Sequence, residues 1–239
     1  MAVVINTNVS AMNSARLLNS STTQLNKSLA RLSSGSRIVS PEDDAAGLAQ
    51  SIKFDAQISR NTATTINVQN ATSFSQTQDG FLQKVQKSLD RLSELSVLAQ
   101  DATKTNSDLS NYQSEFTDLQ NYISDITNKT FNGISLFAGT GLAITVDSNA
   151  ATFGLTAANL SGATATGVLN AYSGISVSST TAAATALNNL KTAIQTLANM
   201  RAVVGSNIQR LNLTSEQITI LNENLSAANS RVADVDVAE

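Results

Sequence analysis

Apolar residues return every seven positions through the last quarter of the chain, at Leu190, Leu197, Val204, Leu211, Ile218, Leu225 and Val232. Leu187, Ile194 and Ile208 add a second stripe three residues earlier, so a heptad seam runs from Ala183 to Val237. No proline interrupts this stretch and Gly205 is its only glycine. It predicts one continuous helix, about 80 Å long at ~1.5 Å per residue. The second stripe turns polar at Arg201, Ser215, Asn222 and Asn229. Polar residues inside a seam weaken packing but fix register and partner choice. A rod with so narrow an apolar stripe must bury it against other rods, so the pattern points to assembly.

The same periodicity predicts three more helical segments. Residues 6 to 33 carry Ala11, Ala15, Leu18, Thr22, Leu25, Leu29 and Leu32 at three- and four-residue spacing, and Gly35 suits a left-handed C-terminal cap. A second helix is signalled at Ser40-Pro41-Glu42-Asp43, with Ser40 as N-cap and Pro41 at the first helical position. Asp43 and Asp44 then face the positive helix end, a dipole role rather than a catalytic pair. This helix runs to about Ala102 through Leu48, Ile52, Ile58, Ile66, Phe74, Phe81, Val85, Leu89, Leu92 and Ala99. Gly80 and the cluster Thr62–Ile66 are its candidate irregularities. After the polar loop Lys104–Asp108, a third helix shows Leu109, Tyr112, Phe116, Leu119, Ile123 and Ile126 in heptad positions. Two antiparallel helices and the long C-terminal one make a three-rod bundle.

The pattern changes at Phe131. Between Lys129 and Lys191 the only charged residue is Asp147, and seven of the eleven glycines lie there. Asn132-Gly133 is a strong hairpin-turn dipeptide, and Leu142–Val146 and Ile175–Val177 are short β-favouring pieces. A small β and turn insertion is the expected structure; a flexible low-complexity linker is the alternative. The predicted fold is mainly α, an elongated bundle of long coiled-coil-like helices with a small β/turn insertion at one end. Its expected divisions are 1–40, an assembly helix and connecting spoke; 41–130 with 183–239, a helical rod; and 131–182, the insertion.

Composition removes most chemistry from this picture. The chain of 239 residues has no cysteine, histidine or tryptophan. Disulfides and thiolate metal sites are therefore excluded, and the commonest general base and transition-metal ligand are missing. Serine and threonine abound with no histidine to activate them, and no phosphate-binding glycine loop stands in the required context. Asp234 and Asp236, two apart on a helix, fall on different faces. No cofactor or metal is expected, and no enzymatic activity. A net charge of −3 gives no electrostatic case for nucleic acid or an anionic membrane. The apolar run Ala2–Ile5 is too short for a secretory signal and the first basic residue is Arg16. No stretch reaches the length of a membrane-spanning helix. The chain reads as cytoplasmic, or exported without a cleaved leader. Its low charged content of 14% leaves an amide and hydroxyl surface that lets identical copies pack without repulsion.

The two ends carry a more specific signal. Ile5-Asn6-Thr7-Asn8, Arg31-Leu32-Ser33-Ser34-Gly35-Ser36-Arg37-Ile38 and Asp43-Asp44-Ala45-Ala46-Gly47-Leu48-Ala49 resemble the N-terminal signature of bacterial flagellins. Thr130-Phe131-Asn132-Gly133 is similar to the family's turn after its third helix. Val204-Gly205, Gln209-Arg210-Leu211 and Glu223-Asn224-Leu225-Ser226-Ala227-Ala228-Asn229-Ser230-Arg231-Val232, followed by Asp234, Asp236, Ala238 and Glu239, resemble its late helix. The resemblance covers most of residues 1–135 and 183–239.

It implies a non-enzymatic structural subunit of the flagellar filament, extracellular, exported unfolded without a cleaved signal peptide and self-assembling for motility. Implied partners are other flagellin copies, the flagellar export machinery with an export chaperone, and hook-associated proteins. The assembly seam would comprise Leu18, Leu25, Leu29 and Leu32 together with Leu190, Leu197, Val204, Leu211, Ile218, Leu225 and Val232. For residues 85–126 and 187–211, packing within the chain is an equal alternative to contact between copies. Flagellins are recognised by an innate immune Toll-like receptor through the rod domain, and the matching positions here are Arg91, Leu95 and Glu115; Asp90 and Ser93 depart from the pattern. The family continues past the position of Glu239 with a helix that pairs with the first one, so this sequence is expected to lack that helix and not to form a stable filament alone. A hook–filament junction protein has similar termini, but the Asn6-Thr7-Asn8 start and the Asp43–Gly47 run favour flagellin. A secreted coiled-coil translocator or adhesin would explain the heptads but not the paired signatures.

Overall fold

The structure, a computed structural model, describes residues 8–156, 158–160, 168 and 174–236. Ile5, Asn6 and Thr7 of the first motif and Ala238 and Glu239 of the last lie outside the described residues. Four helices and two β-hairpins make up the described chain: α1 (Val9–Ser34), α2 (Ala45–Leu98), α3 (Asn106–Thr127), β1 (Thr130–Phe131), β2 (Ile134–Ser135), β3 (Leu142–Thr145), β4 (Thr152–Leu155) and α4 (Thr180–Ala233). They fall into two compact units. Unit 1 comprises Met1–Asn61 with Thr219–Glu239, and unit 2 comprises Thr62–Ile218. The described residues of the insertion lie in the same unit as the helices they pack on, and the start of α2 and the end of α4 lie in the same unit as α1.

Unit 2 is built on three interlocking heptad seams. On α2 the seam runs through the buried positions Thr64, Val68, Ala71, Ser75, Gln78, Leu82, Val85, Leu89, Leu92 and Ser96 to Ala99 just past the helix, with Phe74, Ser88 and Leu95 buried beside it. The seam positions alternate at four and three residues, as a coiled-coil seam requires. On α3 the buried residues are Leu109, Phe116, Ile123 and Ile126, with Tyr112 and Leu119 packed beside them. On α4 they are Ala183, Ala186, Leu190, Ala193, Leu197, Val204, Asn207, Leu211 and Ile218. The flanking stripe of α4 is therefore set by small residues. Ala186 and Ala193 go deepest, and Leu187, Ile194 and Ile208 are half-buried at the margin. Alanine permits close approach of the neighbouring backbone, and the larger side chains then close over the edge of the seam.

The connections follow local chemistry. α2 leaves the helical path after Leu98, and the Asp101 carboxylate accepts the Thr103 N–H at 2.9 Å. Thr105 and Asp108 form a reciprocal capping box at the start of α3, with N–H···O distances of 2.9 and 3.3 Å. Thr105→Ala removes the side-chain half of that box and should cost about 1 kcal/mol in a denaturant titration. At its other end α3 passes into β1 and β2, which pair as Thr130↔Ser135 and Phe131↔Ile134. Asn132 and Gly133, with φ of 50° and 80°, make the two-residue turn that the dipeptide foretold.

The described residues of the insertion are packed, not loose. The Phe131 ring meets Phe74 of α2 edge-on at 5.9 Å, the Leu136 carbonyl accepts from Gln78, and Arg210 of α4 lies 4.0 Å over the Phe153 ring. β3 and β4 pair from Leu142↔Leu155 to Thr145↔Thr152, and Phe153 and Leu155 point inward on alternate positions. Ile175–Val177, expected as a strand, is instead irregular chain lying along α3. Its backbone is satisfied by glutamines: Gln120 donates to the Ile175 carbonyl at 3.3 Å, and the Val177 N–H donates to Gln113 at 2.7 Å. With those groups paired, no strand partner is needed.

Unit 1 differs in character. The second helix starts four residues later than Ser40-Pro41 suggested. Asp44 is the effective cap, accepting the Gly47 N–H at 2.8 Å, while residues 41–43 form a turn. Gly35 does end α1, with φ of 69°. Where α2 faces α4 in this unit, contacts are polar: Asn61 donates to Asn222 at 2.9 Å and Asn229 donates to Asp55 at 2.7 Å. Ser51 and Asn61 are buried, whereas Ile52 is 58% exposed.

Candidate assembly surface

α1 is an amphipathic helix whose apolar face is left uncovered by the described residues. Asn8 caps it, its Oδ1 accepting the Ala11 N–H at 3.0 Å, and no residue of the helix is buried. Leu18, Leu25, Leu29 and Leu32 are 68%, 59%, 52% and 60% exposed. They line one face at seven- and four-residue spacing, with Ala11 and Ala15 extending it. Leu17, on a different face, is also exposed. Apolar side chains at this density are not left in water without a purpose, because each leucine fully buried gains about 1.5–3 kcal/mol. The only charged residues from Met1 to Pro41 are Arg16, Lys27, Arg31 and Arg37, all cationic.

The C-terminal ladder has a different fate. Leu190, Leu197, Val204 and Leu211 are fully buried or nearly so, and Ile218 is close to it, all inside unit 2. That stripe is occupied by the chain's own α2, α3 and insertion and has no surface left for another copy. Leu225 and Val232, in unit 1, are half-buried. One stretch of heptads thus splits into a filled part, within the chain, and α1's unfilled part.

Of the three positions matched to innate-receptor recognition, Arg91 and Glu115 are joined across α2 and α3, with Nε to Oε1 at 2.6 Å; Arg91 also holds Glu94 at 2.7 Å. The pair holds Glu115 below the usual carboxylate range and raises Arg91. Leu95 is corrected: it is fully buried in the α2 seam and cannot touch a partner directly. Its place on the surface is taken by Val97 and Leu98, at 56% and 40% exposure, which sequence reading passed over because they fall outside the heptad stripe. A groove of ≈ 590 Å³, lined in part by Asn70, Phe74, Phe131, Ile134 and Leu142, opens elsewhere in unit 2.

Nothing in the described residues suggests chemistry. No group of three or more His, Cys, Asp or Glu could hold a metal among them, and no helix is long and apolar enough to cross a membrane. The more enclosed charge pair, Arg201 with Asp79 at 2.9 Å, is structural and ties α4 to α2. Its guanidinium holds the Asp79 carboxyl below its ordinary value of 3.8. A carboxyl depressed on folding contributes stability above its unfolded pKa and loses it as pH falls through the folded value. Asp79→Asn should therefore lower stability near pH 7 by under about 1 kcal/mol, the pair being partly solvated. The difference from wild type should vanish by about pH 2, below the carboxylate range.

The family pattern described as the bacterial flagellin N-terminal helical region matches residues 5–142, and the bacterial flagellin C-terminal helical region matches residues 187–239. The chain is 31% identical to the flagellar filament 30.7 kDa core protein of Treponema maltophilum, over 99% of this chain and 88% of that protein. It is 32% identical to a flagellin of Halalkalibacterium halodurans, with the same coverage. Among solved structures it is similar to Bacillus cereus flagellin, with TM-score 0.57, 26% identity, and coverage of 69% of this chain and 94% of that one. A putative flagellar hook-associated protein from Vibrio parahaemolyticus shares the fold, with TM-score 0.69 at 15% identity over 80% of this chain and all of that one.

Proposed function

The chain belongs to the bacterial flagellin family, a structural subunit of the extracellular flagellar filament that assembles with other flagellin copies, and on that premise we propose that α1 is its principal assembly seam. The observation that carries this is the uncovered face of Leu18, Leu25, Leu29 and Leu32 on a helix that buries nothing. The heptads of α4 from Leu190 to Ile218 serve the interior of the subunit instead, and only Leu225 and Val232 retain surface for contact. Val97 with Leu98 and the groove beside Phe131 are two unlike apolar patches on one unit. Unlike patches pair head to tail, and a head-to-tail contact that does not close on itself grows an open helical polymer.

The finer expectations fit the same reading. Residues 41–130 with 183–239 act as the rod, residues 1–40 as the assembly helix and spoke, and residues 131–182 as an insertion carried on it. The subunit reaches the exterior unfolded, through the flagellar export machinery with an export chaperone, and meets hook-associated proteins there. It has no catalytic role, in keeping with a sequence that has neither histidine nor cysteine. Recognition by an innate immune Toll-like receptor would rest on Arg91 and Glu115, with Leu95 supporting the helix from inside. Expressed in a bacterium beside that cell's own flagellin, the chain should be recovered in sheared filaments. Secreted chain absent from those filaments would overturn the assembly reading.

A further inference from the structure

We propose that Asn132 is a modification site controlled by the fold. Its link to Gly133 rearranges while the chain is unfolded, is held unreactive by the closed β1–β2 turn, and once altered can no longer form that turn. The chemistry needs only water. The Gly133 nitrogen, losing its proton to solvent hydroxide, attacks the carbonyl carbon of the Asn132 side chain. A nitrogen–carbon bond forms, the side-chain carbon–nitrogen bond breaks, and ammonia leaves after taking a proton from water. The product is a five-membered cyclic imide. Water then adds to one of its two carbonyls and opens the ring, leaving either aspartate or isoaspartate, in which the main chain runs through the former side chain. Asn132 is the only asparagine followed by glycine. Glycine places no side chain beside the attacking nitrogen.

In the folded subunit the backbone stands the wrong way for this attack. Asn132 has φ of 50° and Gly133 φ of 80°, the left-handed pair of a two-residue hairpin turn. After a left-handed residue the next nitrogen lies nearly anti to Cβ across the Cα–C bond, whereas ring closure requires the two eclipsed. Crowding supplies no protection: both residues are exposed, and nothing lies within 4 Å of where a Cβ on Gly133 would stand. Conformation alone protects, and the hairpin fixes it. Phe131 pairs with Ile134 and Thr130 with Ser135. The Leu136 N–H donates to the Lys129 carbonyl at 3.0 Å, and Gln78 donates to the Leu136 carbonyl. The Phe131 ring is further pinned edge-on to Phe74 at 5.9 Å. All of these residues lie in unit 2.

Isoaspartate bars the way back. It adds a carbon to the main chain inside a turn that has room for two residues, so Phe131 and Ile134 no longer meet in register. It also puts a carboxylate into a stretch whose only charged residue between Lys129 and Lys191 is Asp147. Phe131, Asn132 and Ile134 form one wall of the 590 Å³ groove, so that wall is lost with the hairpin. Time spent unfolded is thereby recorded in the chain. Its effect on entry into filaments rests on reading the groove as a contact; the modification itself is a property of the free chain and is tested there.

The test incubates the full chain at one mildly alkaline pH and one temperature, in native buffer and in guanidinium chloride. The peptide containing Asn132 is followed by mass spectrometry and by labelling with isoaspartyl methyltransferase. Loss of the amide should be on the order of tenfold faster or more in denaturant, because the folded chain reacts only through the small population with the hairpin open. Equal rates in the two states, or no loss in either, overturn the proposal. The isoaspartate form, separated and refolded, should exchange its Leu136 amide quickly. Asn132→Asp, with the same charge but the original chain length, should keep that amide protected. Protection in the isoaspartate form overturns the structural block, and loss of protection in Asn132→Asp assigns the effect to charge and counts against the proposal. Failure to enter filaments, by contrast, would bear on the role of the groove and leave these rates unaffected.

Discussion

Leu25→Asp combined with Leu29→Asp should abolish incorporation of the chain into flagellin filaments while leaving the unfolding of the free subunit unchanged. Both side chains are more than half exposed in the subunit, so replacing them removes almost no buried area there. Surface substitutions of this kind move stability by less than about 0.5 kcal/mol. In a helix–helix seam the same two leucines would contribute about 3–6 kcal/mol per subunit on burial, and two carboxylates in their place would have to be desolvated without partners. A loss of that size leaves the variant out of any filament. The check is immuno-electron microscopy of filaments from cells that co-express the variant with their own flagellin, beside thermal unfolding of the purified chain. Incorporation equal to that of the unmodified chain would show that the face of α1 is not a contact. A fall in subunit stability would show that it is covered already.

Phe116→Ala should have the opposite profile, crippling the subunit before any question of assembly arises. Phe116 is fully buried at the centre of the α3 seam, facing the α2 and α4 ladders of unit 2. Truncating a buried phenylalanine to alanine costs about 3–5 kcal/mol, from lost transfer energy and the cavity left behind. Domains are stable by only about 5–15 kcal/mol, so about a fifth of the total or more would go. The midpoint of denaturant unfolding should fall sharply and secreted protein should be scarce. An unchanged midpoint would mean that the three-seam core does not carry the stability of unit 2.

The contrast between these two variants is also where the sequence was easiest and hardest to read. Seven-residue recurrence located the central stripe of α4 and all of α3 correctly, because large aliphatic and aromatic side chains mark those seams. It misplaced the early part of α2. Ile52 and Ile66 looked like core but are 58% and 54% exposed, while Ser51, Asn61 and Thr64 are buried. A seam made of hydroxyls and amides carries no hydropathy signal; continuing the four-and-three spacing back from Val68 would have reached Thr64 and Asn61, but not Ser51. The start of α2 was misjudged for a related reason. Ser40-Pro41 is a good helix opening by propensity, but Asp43 is engaged by Lys27 and by the turn, and Asp44 does the capping.

The candidate surface was half legible. The heptads of α1 and α4 look alike as text, and nothing in their spacing says which is filled from within; burial separates them. Leu95 shows the limit of transferring a surface role by position, since its place in the α2 ladder, three residues after Leu92, already put it in the core. The bonds from Ser36 and Arg37 to the Ala233 and Val232 carbonyls were invisible because they join residues nearly two hundred positions apart through the backbone.

Amide hydrogen exchange, compared between the free subunit and the assembled filament, tests the central claim most directly. The account predicts that backbone amides of α1 exchange quickly in the subunit and become strongly protected in the filament, while those around Leu190 to Leu211 are protected to the same degree in both. Equal, fast exchange of α1 in the two states, or protection of the α4 ladder that appears only on assembly, would contradict it.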